Sequence, residues 1–548
     1  MLDRFLEEIR NKSINTTQWI LGFLGILFVR FILESLSSPT SSGIIPSDPY
    51  TLVHYSLFFL SVTLGTIIIV GFFIKNYKDS AKITLFALPI IWIAPILDIV
   101  LSQGRGYRMS YIFDSHGQLL FDFFTFFGSN LISGATYGMR IGIILILIGI
   151  GWYVWKQTQS VTRTILAVLF SYILGFLVGA LPGIMYTISH TNAGTPTDIH
   201  SYFQNIISQS TVAHNTLREG VASVSSGRFF ELGFDKLMSQ ILLLISFIFG
   251  WLLFRKMEPE KFKSVMGNIR LERINFYIAS LFCGIGFAYM NQLGNKFFWT
   301  DLLGIACLIL SWIGLWMYAV HTNDIADINI DKISNKERPL VKKLLSTEDM
   351  RHGGYVWLGL GLLGSWSAGF YPFFMSLMCV ATTYIYSSPP LRLRRFPGIS
   401  AFLISVACLA TILAGFFFVS VHKEIYTFPI FLTMGILIMV TLAIQFKDMK
   451  DVDGDKQDGV ITLLTLFPKN GPKIVGLCFA LSILLIPIFL SFYFLYVFAL
   501  PMAIIGYRLI VKKPYKEKPI FVLRFILLTC IASSYLLIYW LGHLYDLI

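Results

Sequence analysis

Residues 302–320 form a predominantly apolar run that ends in His321-Thr322-Asn323-Asp324-Ile325-Ala326-Asp327-Ile328-Asn329-Ile330-Asp331. Residues 428–446 form a second such run, ending in Lys447-Asp448-Met449-Lys450-Asp451-Val452-Asp453-Gly454-Asp455. Apolar runs of this length read as helices that cross a hydrocarbon core of ~30 Å, so both acidic stretches stand at the ends of spans. Within each, the aspartates recur at i, i+3 and i+7, one stripe of an α-helix. Six carboxylates gathered beside a bilayer repel one another unless positive charge sits between them. Mg²⁺ takes carboxylate oxygens and is usually shared with substrate phosphates, so a pair of Mg²⁺ ions gripping a diphosphate is the economical reading.

Composition agrees with a polytopic, all-α membrane protein. Of 548 residues, 55% are hydrophobic and only 14% charged, and the mean hydropathy is positive. The net charge of +12 does not point to nucleic acid, because the lysines and arginines are spread over short loops between spans, the positive-inside pattern of membrane topology. All six cysteines fall in apolar runs without CxxC or Cys/His spacing, which supports neither a disulfide framework nor a zinc site. The charged start, Asp3 to Lys12, ahead of an apolar run from Trp19, reads as an uncleaved first span.

From residue 274 onward there are nine apolar runs, and basic residues mark alternate connections. Arg270 and Arg273 precede the first run; Lys332, Lys336, Arg338, Lys342 and Lys343 follow the second; Arg392, Arg394 and Arg395 the fourth; Lys447, Lys450 and Lys456 the sixth; Lys512, Lys513, Lys516 and Lys518 the eighth. This places the N-terminus and both acidic stretches on the cytoplasmic side and the C-terminus outside. Residues 1–256 form a separate membrane unit of about six spans (19–36, 52–74, 83–101, 135–155, 165–188 and 237–254), with an external polar loop at 189–236. Residues 257–272 read as a charged linker and 273–548 as the second unit. The Phe-rich run 119–127 is too short to cross and reads as interfacial or re-entrant.

A single acidic stripe is as readily a solvated loop face as a metal site; two of the same spacing on one membrane side shift the balance to metal. Lys332, Lys447 and Lys450 stand beside them as phosphate partners. An EF-hand reading of Asp451-x-Asp453-x-Asp455 fails, since Lys456 stands where the loop needs glycine and Thr462 where it needs glutamate. An intramembrane ion path is disfavoured because the last nine runs carry no acid at their centres. Between the stretches, Tyr386-Ser387-Ser388-Pro389-Pro390-Leu391-Arg392-Leu393-Arg394-Arg395 ends the fourth run of this unit. Its prolines stop the helix, leaving arginines able to clamp a diphosphate and Tyr386 able to donate to it.

These three motifs, in this order, resemble those of the UbiA superfamily of intramembrane prenyltransferases, over residues 274–548. The resemblance implies a nine-helix bundle with a central cavity that binds a polyprenyl diphosphate through Mg²⁺. It implies metal ligation by Asp324, Asp327, Asp331, Asp448, Asp451 and Asp455, with Asp324, Asp327, Asp448 and Asp451 catalytic. Asn323, Lys332, Arg338, Tyr386, Arg392, Arg394 and Lys447 would bind substrate. The implied reaction transfers the prenyl group to a lipid-like, isoprenoid-alcohol or aromatic acceptor inside the membrane. The form of the motifs is similar to the branch with digeranylgeranylglyceryl phosphate and chlorophyll synthases, which leans toward a lipid or isoprenoid-alcohol acceptor. The rival from another class is a transporter or lipid-binding protein built on the same bundle without catalysis. The implied setting is a multi-pass membrane protein, in the plasma membrane if prokaryotic.

Residues 1–256 carry no such resemblance, and either deliver or modify substrate or serve structure and assembly. His190, His200 and His214 lie in the polar loop and read as unliganded; Asp98 and Arg105 read as an interfacial pair at a span end.

Overall fold

The computed structural model describes residues 2–37, 49–102, 110–128, 135–190, 196–211, 226–291 and 297–545. All their regular elements are helices. The chain divides into two compact units, one running to Pro259 and the other beginning at Glu260. Among the described residues, eleven helices are long and apolar enough to cross a membrane, six of them in the first unit. This is an integral multi-pass membrane protein.

The six helices of the first unit are Thr16–Leu36, Pro49–Ile74, Tyr77–Leu101, Tyr137–Thr158, Val161–Gly179 and Phe230–Met257, at the six runs read from the sequence. Proline explains where their course departs from it. Pro89 and Pro95 each withhold a backbone N–H, and here the α-helix Tyr77–Ala87 tightens into the 3₁₀ turn Leu88–Trp92 before resuming at Ile93. Pro182 begins a separate short helix, Leu181–Ser189, so the span stops at Gly179.

The run at 119–127 contributes the eight-residue helix Gly117–Phe124, tied to the Val161–Gly179 helix by Tyr172, whose hydroxyl donates to the Phe123 carbonyl at 2.5 Å. The stretch expected as a polar loop holds the helix Pro196–Gln209 and the start of Ser226–Met257. There, the His190 ring stacks on Tyr186 with centroids 4.4 Å apart and His200 lies 4.8 Å from Phe113; His214 is outside the described residues. Asp98 is buried in the protein, 2% exposed. It accepts from Thr136 Oγ1 at 2.6 Å and from the Gly138 N–H at 2.8 Å, fastening the start of the Tyr137–Thr158 helix; Arg105 lies outside the described residues.

In the second unit, the helices Leu271–Met290, Asp301–Ala326, Thr347–Ala368, Phe370–Ser387, Ile399–Val419, Ile430–Ala443, Gly471–Leu484, Tyr496–Val511 and Lys518–Tyr545 fall at the nine runs. Five of these segments meet the length and hydropathy expected of a span; Leu271–Met290 and Thr347–Ala368 carry charges in their first turns. Ile399–Val419 is the most enclosed, with Phe416 and Phe417 fully buried. In lipid, where apolar side chains gain little from leaving the solvent, close packing through small residues holds helices together. A Cβ on Gly415 would stand 2.1 Å from the Leu281 carbonyl oxygen, and one on Gly284 would stand 1.9 Å from that of Ile412. Trp312 locks a third helix to this pair by donating Nε1–H to Thr411 Oγ1 at 2.7 Å.

Candidate active site

The helix packing brings four span ends together. The first acidic stretch leaves Asp301–Ala326 and continues as the short helix Ile328–Ser334. The second follows Ile430–Ala443 as a 3₁₀ turn, Ile444–Lys450, and then the helix Val452–Gln457. The two short helices meet at Gly454, where a Cβ would stand 2.7 Å from Ile330 Cγ2 and 3.1 Å from the Ile330 carbonyl. The Gly454 N–H donates to Ser334 Oγ at 3.3 Å. Glycine is therefore needed here for backbone contact between the motifs.

Between them lies a cavity of about 170 Å³. Its polar wall includes Asn323, Asp327, Asp331, Lys447, Asp448 and Asp451. Asn335 joins the two stretches, its Nδ2 donating to Asp331 Oδ1 and to Asp451 Oδ1, each at 2.9 Å. Behind the wall, Asp455 is fully buried and accepts from Arg394 Nη2 at 3.3 Å through Oδ1, while its Oδ2 has no hydrogen-bond partner. Arg394 also pairs with Asp327. Arg392 reaches Asp327 Oδ1 at 3.1 Å and Asp458 Oδ2 at 2.9 Å. Lys447 donates to Asp448 Oδ1 at 2.7 Å and to the Tyr386 hydroxyl at 3.1 Å. The lining is also apolar in part, with Phe276, Tyr277, Trp316, Leu403, Ile404 and Phe521 among it.

Of the residues singled out in the sequence, Asn323, Asp327, Asp331, Arg338, Tyr386, Arg394, Lys447, Asp448 and Asp451 line this cavity. Lys332 stands apart, exposed and 3.5 Å from Asn329 Oδ1. Arg392, Asp324 and Asp455 sit behind the wall. Asp324 is 1% exposed, and both its oxygens are taken, Oδ1 by Arg270 Nη2 at 2.5 Å and Oδ2 by Asn268 Nδ2 at 2.8 Å. Arg338 extends this chain by donating to Asn268 Oδ1 at 3.1 Å.

Asn268 and Arg270 thus belong to the site although they fall in the stretch read as a linker, where the arginine carries only a topology signal. Arg273 and Lys450, also on the cavity wall, are both held by Glu517, at 2.5 Å and 2.7 Å. Glu517 lies in the connection after the eighth helix of this unit, and no spacing in the sequence links it to the motifs.

Two of the site's carboxyls are shifted toward the protonated form, burial being the first cause in each. Burial, reinforced by the Asp324 charge, pushes the Asp331 carboxyl up to about 6 against Arg338, Asn335 and Arg270. Burial likewise pushes Asp455 up to about 7; Arg394 opposes the shift, and Asp448 and Asp451 add to it. Among the described residues, no three His, Cys, Asp or Glu side chains converge on one point; each carboxylate leans on a nearby cation or amide. The donor set is all oxygen, with one buried carboxylate oxygen unpartnered, and that suits Mg²⁺.

Residues 277–531 match the model of the UbiA prenyltransferase family. The second unit belongs to the UbiA superfamily. The chain is 31% identical over 193 residues to naringenin 8-dimethylallyltransferase 2 of Sophora flavescens, a match covering 33% of this chain and 46% of that protein. It is 27% identical over 239 residues to the digeranylgeranylglyceryl phosphate synthase of Sulfolobus acidocaldarius, covering 43% of this chain and 81% of the relative. The chain thus spans about half the length of the plant relative. The solved UbiA homologue from Archaeoglobus fulgidus bound to GPP and Mg²⁺ aligns with a TM-score of 0.41 at 14% identity, covering 50% of this chain and 98% of that one. The UbiA match leaves the first unit unassigned and begins just after Asn268, Arg270 and Arg273.

Proposed function

We propose that the UbiA unit transfers a prenyl group from a polyprenyl diphosphate to a lipid-like, isoprenoid-alcohol or aromatic acceptor within the membrane, releasing diphosphate. The observation that carries this reading is a single cavity lined both by carboxylates, arginines and lysines and by aromatic and aliphatic side chains. A molecule with a polyanionic head and an apolar tail suits such a lining.

Asp327, Asp331, Asp448, Asp451 and Asp455 would hold Mg²⁺, which when bound neutralises the phosphate oxygens and stabilises the charge that develops on the leaving diphosphate. Asp324 serves differently in this account, because its oxygens already fix Arg270 and Asn268; it positions a guanidinium for the diphosphate. Arg273, Arg338, Arg394 and Lys447 supply further positive charge along the wall. The allylic C1–O bond breaks and its electron pair leaves with the diphosphate. The aromatic and aliphatic lining keeps water from the resulting allylic cation, and the Tyr386 ring and hydroxyl, steadied by Lys447, face it. The acceptor attacks C1 and loses its proton.

The positive-inside pattern of the loops supports a cytoplasmic setting for this cavity. Names among the relatives include both aromatic and glyceryl phosphate acceptors, so the acceptor is a matter for direct assay. Purified protein incubated with Mg²⁺, radiolabelled geranylgeranyl diphosphate and a panel of glyceryl phosphate, prenyl alcohol and phenolic acceptors should give one labelled product class. Tight Mg²⁺-dependent binding with no transfer to any acceptor would favour a binding protein instead.

A further inference from the structure

The first unit contains a larger cavity, of about 420 Å³, within the range of pockets that hold small ligands. Its lining is mainly aliphatic and aromatic, from Leu6 and Ile9 through Phe58, Ile143 and Ile146 to Tyr172. Its charged lining residue, Arg30, is buried and paired with Glu34 at 2.6 Å, so the cavity offers no uncompensated charge to an ionic ligand.

Polar residues interrupt the apolar wall, among them Ser171 and Tyr111. Ser171 is 8% exposed, lines the cavity and has a hydroxyl with no hydrogen-bond partner. Tyr111, 4% exposed, also lines it, and its hydroxyl is held by His54. His54 Nε2 lies 2.6 Å from the Tyr111 hydroxyl, His54 Nδ1 lies 2.7 Å from Asp235 Oδ1, and Asp235 Oδ2 accepts from Thr51 Oγ1 at 2.5 Å. A carboxylate can only accept, so Nδ1–H is directed at Asp235, and Nε2 is the ring nitrogen left to accept from the Tyr111 hydroxyl. The Tyr111 hydroxyl then directs its proton to His54, and its oxygen lone pairs remain for the cavity. A relay of this kind selects a ligand that donates a hydrogen bond.

We propose that this cavity binds an uncharged single-chain lipid alcohol, its chain among the aliphatic helices and its hydroxyl donating to Tyr111. The site is independent of the prenyl-transfer reading of the second unit. Prenyl and fatty alcohols share the required chemistry, and the test separates them.

The full-length protein in lipid nanodiscs would be labelled with diazirine-bearing geranylgeraniol, with its methyl ether, and with a diazirine-bearing C16 fatty alcohol, and the labelled residues mapped by mass spectrometry. The expected result is saturable labelling of the cavity lining by at least one alcohol, whichever alcohol labels at lower concentration naming the source. Labelling by geranylgeraniol should precede that by its ether by roughly tenfold in half-saturating concentration, the worth of one hydrogen bond. Tyr111→Phe should erase the difference between alcohol and ether, and Ile146→Trp, which fills the cavity, should abolish labelling, both with melting temperatures near wild type. Saturable labelling confined to the second unit would overturn the proposal. So would equal labelling by alcohol and ether in the wild type, or labelling that Ile146→Trp leaves intact, comparisons that stand even if Tyr111→Phe fails to fold.

Discussion

Asp451 and Asp324 occupy matching kinds of motif, yet their surroundings differ, and substitutions should separate them. Asp451 faces the cavity and shares Asn335 with Asp331. Asp451→Asn should lower Mg²⁺-dependent diphosphate release by at least about 100-fold, the scale of losing one transition-state charge contact, without changing the melting temperature. In Asp324→Asn, Arg270 is left beside a neutral amide in a buried setting, where breaking a pair costs roughly 3–5 kcal/mol. A fall in melting temperature should dominate there, and the Mg²⁺ concentration for half-maximal release should stay near wild type. Asn335→Ala, which removes the amide bridging Asp331 and Asp451, should weaken Mg²⁺ binding by roughly 10–100-fold, read from the same titration. Equal effects in all three variants would contradict this division of roles. The aspartates were legible in sequence because an acidic stripe repeated at the same helical spacing after two spans is costly in charge unless a cation joins it. Asn268, Asn335 and Glu517 were not, because each gains its role only from a contact across the fold.

At the scale of elements, the site depends on two short helices touching at Gly454. Gly454→Val would drive a branched side chain into Ile330 and Ser334, 2.7 Å from where its Cβ would sit. Separating the helices should weaken Mg²⁺ binding while the spans remain helical by circular dichroism; an unchanged Mg²⁺ titration would show that the contact is dispensable. The connection through Glu517 makes a pH prediction. Burial works to raise this carboxyl, but Arg273 and Lys450 outweigh it and hold it below the ordinary glutamate range. A carboxyl lowered in the fold stabilises fully above its unfolded value of about 4.3 and loses that contribution as pH falls through the lower folded value. Hydrogen exchange at Ile520 and Phe521, whose N–H groups donate to the Glu517 carbonyl, should therefore stay protected from neutral pH down to about 4 and rise below it, whereas Glu517→Gln should show the raised exchange already at neutral pH. Span positions were readable from apolar runs alone. The breaks at Pro89 and Pro182 were not placed, since proline says that a helix must yield but not whether the chain turns away.

For the molecule as a whole, the UbiA match and the candidate site residues lie in the second unit, while the cavity proposed for a lipid alcohol lies in the first. A chain beginning at Glu260 keeps Asn268, Arg270 and Arg273 and should retain prenyl transfer. One beginning at Leu271 loses the partners of Asp324 and should lose most of it, a difference that an assay of the two truncations would show. Comparable activity in both would remove Asn268 and Arg270 from the site. The proposed function requires both acidic stretches to act together on one diphosphate through divalent metal. Its most direct measurement is inorganic diphosphate released from geranylgeranyl diphosphate as Mg²⁺ is titrated, in wild type, Asp327→Asn and Asp451→Asn. The account predicts release that requires Mg²⁺ and collapses when either stretch is changed; release without metal, or undiminished in one of the two variants, would contradict it.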